Sequence, residues 1–260
     1  MRGMAAALEH IQNPPSPANR ASRTPVFIVC SARPGAGKTF LARLILGFQL
    51  AENRAVRAYD LNPQEMALIH HAPQQTQPAD IDETRSQMTL FDDLVANDGV
   101  VKIVDLDHAL LKKFFTLAEQ IGFFEAVRFS TIEPVLLFAT DLHPASPAAY
   151  RSLQERFPQT ILVPVENDAI ARFGKYRDMY PTLRAAAVPI RIPVLAPPLR
   201  AIVDSHNYSF AELRDTLPMD IPLDICFELR SWTKRAFLEL RELELRLLLA
   251  RLQHSLGGMG

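Results

Sequence analysis

The chain has little of what marks the specialised protein classes. Cysteine is nearly absent: Cys30 and Cys226 lie far apart inside apolar stretches. That excludes a disulfide framework and points to a reducing compartment, the cytoplasm. Charge of one sign is missing too, with 28 Lys and Arg against 29 Asp and Glu, so nothing in the overall balance attracts polyanions. No apolar run approaches the roughly 18 to 20 residues a bilayer span needs, and no cationic region joined to an apolar one stands at the N-terminus. Neither a membrane-spanning nor a secreted protein is expected. Glycine is scarce, 10 in 260 residues, which gives weight to the few that cluster. What remains is a hydrophobic fraction of 48% and a charged fraction of 22%, the composition of a soluble globular chain. The length suits one large α/β domain with short appendages.

Residues 1–24 hold Pro14, Pro15, Pro17, Asn13, Asn19, Ser16 and Ser22 with few large apolar side chains. They cannot bury enough surface to offset ordering, and a flexible tail is expected. Val26 to Cys30 then forms a short apolar run between Pro25 and the small, Gly-rich stretch Ser31 to Gly37, the pattern of a buried parallel strand. Similar runs follow at Val56 to Tyr59, Val100 to Val104, Val135 to Ala139, Ile161 to Val165 and Ile190 to Leu195. The segments between are long enough for helices, so residues 25–222 are expected to form an α/β domain with a doubly wound, mainly parallel sheet and helices on both faces. Leu41, Leu44, Ile45 and Phe48 carry helical spacing after the first strand, and Leu110, Leu111, Phe114, Phe115 and Leu117 after the third. Ala72 to Gln87 is polar, Pro-bearing and without apolar period, the mark of a long loop. From Leu223 to Leu256 no Pro or Gly occurs, and Leu229, Trp232, Ala236, Leu240, Leu243, Leu247 and Ala250 step by three and four. One long helix is expected over 223–256, its stripe widened by Phe237, Leu245, Leu248, Leu249 and Leu252 beyond a two-per-heptad seam.

The segment that carries chemistry is Ala32-Arg33-Pro34-Gly35-Ala36-Gly37-Lys38-Thr39. It fits the looser form of the phosphate-binding loop, with Ala for the first Gly, and stands between a strand and a helix. Gly35 and Gly37 let backbone N–H groups turn toward a phosphate, and the next helix, opening with Phe40, directs its positive end at the anion. Lys38 suits the β and γ oxygens of ATP, and the Thr39 hydroxyl suits Mg²⁺.

These residues resemble the ParA/MinD-like ATPases of the deviant Walker A class. Arg33 to Thr39 is similar to that family's loop, with Arg33 in place of its signature lysine. Asp60-Leu61-Asn62-Pro63-Gln64 resembles its Asp-x-Asp-Pro-Gln turn, and Lys102-Ile103-Val104-Asp105 resembles the strand that ends in the Walker B aspartate. The likeness runs from about Val26 to Leu217 and is strongest over the first 64 residues. It implies a P-loop fold that binds ATP–Mg²⁺ through Arg33, Pro34, Gly35, Ala36, Gly37, Lys38, Thr39 and Phe40, with Thr39 and Asp105 at the metal and Lys38, Asp60 and Asn62 as the catalytic set. It further implies a nucleotide-dependent homodimer, an additional protein partner, and a positioning, partitioning or assembly role. Arginine at position 33 is cationic at every relevant pH and offers a planar fork of donors to phosphate. Asn62 stands where the second acid would help position water, and an amide carries no charge, so slow or absent hydrolysis is expected. Two rival readings stay open: a small-molecule kinase or ligase of the dethiobiotin synthetase type, and a pseudo-ATPase subunit of a larger complex.

Three weaker signals complete the reading. Asp107 is either a substitute for the missing acid or the cap of the following helix, the second favoured, while Asn167 is a candidate adenine contact. His70, His71 and His108 lack further ligands at metal spacing. Residues 169–200 hold six basic residues against one acid, Asp178, with Phe173, Tyr176 and Tyr180 interleaved: a surface for non-specific DNA contact or simply a solvated basic face.

Overall fold

In the computed structural model the described residues are 23–62, 65–128, 130–170, 178–205, 208–212 and 221–257. The chain alternates as the apolar pattern predicts. Strand β1 (Thr24–Cys30) leads into helix α1 (Lys38–Ala51), β2 (Val56–Leu61), the short α2 (Ala67–His71), β3 (Thr76–Pro78), α3 (Thr84–Val95) and β4 (Val101–Leu106). There follow α4 (Leu111–Gln120), α5 (Phe123–Arg128), β5 (Ile132–Ala139), α6 (Ala145–Arg156), β6 (Ile161–Asn167), β7 (Ile190–Ile192), α7 (Pro197–Val203) and α8 (Leu223–Gly257). The strands form one seven-stranded sheet in the order β3-β2-β4-β1-β5-β6-β7, with every neighbouring pair parallel.

Both sheet faces are covered, because alternate residues of β1 feed two separate cores. Phe27 and Val29 point to a core shared with α1, α7 and α8. Val26, Ile28 and Cys30 point to another, shared with α3, α4, α5 and α6, where Phe91, Phe114, Phe115, Phe123 and Phe157 gather. The chain runs outward from β1 to β2, then returns through β4 and crosses β1 to reach β5. The order therefore reverses at β1, and the crevice outside the carboxyl ends of β1 and β4 is where such sheets take ligands.

Three expectations need correction. The stretch 72–87 is not one loop: β3 pairs with β2 through Ala58↔Thr76 to Asp60↔Pro78, and α3 begins at Thr84. A three-residue edge strand is held by backbone hydrogen bonds, here Ala58 N–H to the Gln75 carbonyl and Ala79 N–H to the Asp60 carbonyl, and leaves no apolar pattern to read. At an edge even Pro78 is tolerated. The residues assigned to the tail end earlier than 24, since Thr24 already pairs with Ile132; residues 1–22 lie outside the described ones. Finally, β7 stops at Ile192, ahead of Pro193, which has no N–H to donate.

The long C-terminal helix is present, and Cys226, Leu229, Trp232, Ala236, Leu240, Leu243 and Leu247 are buried along it. It is fastened to α1 by polar contacts as well as by apolar burial. Gln49, fully buried, donates to Glu244 at 2.9 Å and accepts from Arg54 at 3.0 Å. Arg54 also pairs with Glu244, and Arg241 with Glu52. Near its far end, Arg251 pairs with the buried Glu133 of β5.

Candidate functional site

The loop between β1 and α1 is built from short-range geometry. Buried Ser31 donates its hydroxyl to the Arg33 carbonyl at 2.7 Å, turning the chain as it leaves β1. Gly35 and Gly37 then take φ of +73° and +86°, the left-handed region that residues with a side chain avoid. Gly37 is the residue before α1, and no side chain of the described residues caps that helix end. Its first N–H groups are therefore left for an anion. Arg33, Pro34 and Gly35 are exposed, Thr39 is half-buried, and Ala36 and Lys38 are buried. Phe40 sends its side chain into the core, against Phe210 at 5.8 Å and Trp232 at 5.7 Å. Only its backbone N–H can serve a phosphate.

The register of the sheet sets the carboxylates beside this loop. Val29 pairs with Asp105, and Asp60 pairs with Asp105, so the two acids stand side by side at the strand ends. Asp105 is almost fully buried and accepts a hydrogen bond from the Thr39 hydroxyl. Burial pushes its carboxyl up to about 7; the Thr39 hydrogen bond and Lys38 pull it down, while Asp60 and Asp107 push it further up. Its Oδ2 is buried and has no hydrogen-bond partner among the described residues. A buried oxygen of that kind calls for a donor or a cation, and with the Thr39 hydroxyl adjacent, the oxygen-only pair suits a hard divalent ion such as Mg²⁺.

Asp60 has a different position. Its Oδ1 accepts from the Asn62 N–H at 3.0 Å, and its Oδ2 accepts from the N–H groups of Leu68 and Ile69 at 2.9 and 3.2 Å. Burial raises its carboxyl and these three amides lower it. The group thus ties the end of β2 to α2. Asn62 accepts from the Glu65 N–H through Oδ1 at 3.2 Å, and Met66, just before α2, is held at φ +44°. Pro63 and Gln64 of the same turn lie outside the described residues.

Asn167, at the end of β6, is brought to the loop from 130 positions away. A Cβ placed on Gly37 would lie 2.8 Å from its Nδ2, while its Oδ1 accepts from the Ala169 N–H. This close approach adds to the backbone demand at Gly37. Gly37→Ala is therefore expected to destabilise the fold by about 1 kcal/mol or more, and the double variant Gly37→Ala/Asn167→Ala to recover part of that loss but not all, since φ +86° remains unfavourable for alanine. Thermal melts of the two variants and the parent check both.

The other candidates separate cleanly. Asp107 accepts from the Ala109 N–H at 2.7 Å and caps the turn His108–Leu110. Among the described residues no cluster of His, Cys, Asp and Glu could hold a metal by itself. Of the basic stretch, Arg184 donates to the Pro158 carbonyl, Arg191 pairs with Asp168, and Arg200 pairs with Asp204; Arg172, Phe173, Lys175, Tyr176 and Arg177 lie outside the described residues. Tyr180 is buried and donates to the Asp141 carbonyl. No described helix is long and apolar enough to cross a membrane.

What sequence reasoning missed is the support behind the loop. Arg200 stands over the Phe40 ring at 4.7 Å, and Trp232 donates to the carbonyls of Pro193 and Val194, both at 3.1 Å. Residues from α7, α8 and the segment after β7 thus pack around the side chain next to Thr39. No local pattern could have announced this.

No protein-family model matches the chain, and no curated protein matches it significantly. Among solved structures it is similar to one described as the nucleotide-binding protein in complex with ADP from Archaeoglobus fulgidus, with Co. The identity is 13% and the TM-score 0.41, over 78% of this chain and 98% of that one. A likeness of that size says nothing about what this chain binds.

Proposed function

We propose that the chain binds ATP with Mg²⁺ at the loop Arg33 to Phe40 and acts, in the manner of ParA/MinD-like proteins, as a nucleotide-dependent positioning, partitioning or assembly factor with slow or absent hydrolysis. The observation that carries the nucleotide reading is the meeting of the uncapped start of α1, Lys38, and the Thr39–Asp105 pair with its unpartnered buried oxygen. Backbone N–H groups and Lys38 would receive the phosphates, and Thr39 and Asp105 would hold the metal, which neutralises phosphate charge when bound. Asn167 lies beside the same loop and would meet the nucleotide.

The reading of slow turnover rests on the second motif. Asp60 already accepts three backbone N–H groups, and Asn62 supplies an uncharged amide where a second acid would orient water. Exposed Arg33 would reach the phosphates of a second copy across a nucleotide-bound dimer. Cargo recognition would require a further protein partner.

Sedimentation at sub-micromolar protein, alone, with ADP and with ATP–Mg²⁺, tests this. A monomer that becomes a dimer only with ATP–Mg²⁺, and fails to do so in Lys38→Ala and Arg33→Ala, is the expected result. Unchanged mass in all three conditions would favour the ligase or pseudo-ATPase readings. Turnover at the rate of a vigorous NTPase, lost in Lys38→Ala, would refute slow hydrolysis.

A further inference from the structure

The outer face of α8 carries a row of exposed leucines. Leu238, Leu245, Leu248, Leu249 and Leu252 are 52%, 54%, 39%, 57% and 41% exposed, while Leu240, Leu243 and Leu247 on the same stretch are buried. The exposed set repeats at seven residues, 238, 245 and 252, with 248 between. That is the narrow seam by which one helix meets another, not the broad stripe that packs on a domain. Five half-exposed leucines along one helix leave an apolar patch on the order of 400 Å², within the range of the largest and often functional patch of a single chain.

The charges beside this seam show what does not cover it. Between Leu238 and Leu252 every charged residue has a partner within the chain. Glu239 accepts from the Arg191 N–H, Arg241 pairs with Glu52, Glu242 with Arg246, Glu244 with Arg54 and Arg251 with Glu133. The side chains of Arg241 and Glu242 are 53% and 64% exposed, so the face carries one charge of each sign, and neither a strongly acidic or basic partner nor anionic lipid would find an excess of the opposite sign. What the face offers is leucine, with Arg241 and Glu242 between Leu238 and Leu245. Such a surface is complementary to itself, and self-complementarity is the requirement for a two-fold contact.

We infer that α8 pairs with α8 of a second copy, antiparallel and across Leu238 to Leu252, in a contact that does not depend on nucleotide. Two such patches bury on the order of 800 Å² before rim contacts, short of the roughly 1,000 Å² of a stable interface, so the contact is a weak and transient one. The dimer is accordingly one of micromolar affinity, distinct from the nucleotide-dependent dimer proposed above. With two different self-contacts at different ends of the molecule, copies would link into chains when nucleotide is present.

Analytical ultracentrifugation of the full chain without nucleotide, across roughly 1 to 100 µM, tests the inference. The average mass is expected to rise from monomer to dimer. Leu245→Glu and Leu249→Glu should each move the midpoint up at least tenfold, with helix content unchanged, because both positions face solvent and Glu is a good helix former. Lys38→Ala should dimerise like the parent, which separates this contact from the nucleotide site. A protein monomeric throughout the range would overturn the inference, as would association that neither glutamate weakens. So would a monomer that sediments with phosphatidylglycerol vesicles through Leu245, since the occupant would then be lipid.

Discussion

Asp105→Asn is expected to abolish the Mg²⁺-dependent nucleotide binding proposed above and at the same time to make the nucleotide-free protein more stable at neutral and alkaline pH. The two effects have one cause. Burial raises the Asp105 carboxyl from 3.8 to about 7, so between those values the folded protein holds a proton that the unfolded chain releases. Its contribution to stability is complete below about pH 4 and is lost progressively as pH rises through 7. An amide of the same shape carries no charge at any pH. The difference between variant and parent should be near zero at pH 4, grow through pH 5 and 6, and level off above 7 at no more than about 4 kcal/mol. Thermal melts from pH 4 to 8 measure it. Parallel curves for the two proteins would mean that burial does not raise the Asp105 carboxyl. Adding Mg²⁺–ATP at pH 8 should raise the melting temperature of the parent and leave that of Asp105→Asn unmoved, because only a carboxylate repays the cation.

The second large effect is expected in the core directly behind the loop that precedes α1. Trp232 is 1% exposed, donates to two carbonyls in the segment after β7, and packs against Phe40 and Phe210 at 5.7 and 6.0 Å. Trp232→Ala leaves a cavity and two carbonyls without their donor, and should cost about 3–5 kcal/mol. The loss should extend to function, since Phe40 follows Thr39 and loses one of its ring neighbours. Nucleotide affinity is expected to drop several-fold even where the variant remains folded, whereas Trp232→Phe should keep most of the packing and most of the affinity. Chemical denaturation paired with nucleotide titration distinguishes the two. A destabilised Trp232→Ala with unaltered affinity would show that the core behind α1 does not shape the loop.

Much of this was open to reading in residue order. Val26 to Cys30 followed by Gly35, Gly37, Lys38 and Thr39 specifies a buried strand, a left-handed turn and a helix start within 15 residues, because backbone φ and apolar period are local properties. Six of the seven parallel strands follow in the same way from their runs of apolar residues, and α8 from its three-and-four spacing. Strand β3 escaped because its bonds are backbone bonds at a sheet edge. The engagement of Asp60 by the amides of Leu68 and Ile69, the approach of Asn167 to Gly37, and the clamp of Gln49, Arg54 and Glu244 escaped for another reason. They join residues from 8 to 195 positions apart, and no segment of either partner records the distance. Local preference determined which elements form and where the Gly35–Thr39 turn lies. Only the packed tertiary structure decided which side chains meet across it, which charges are already spent within the chain, and which leucines of one continuous stripe were left facing solvent.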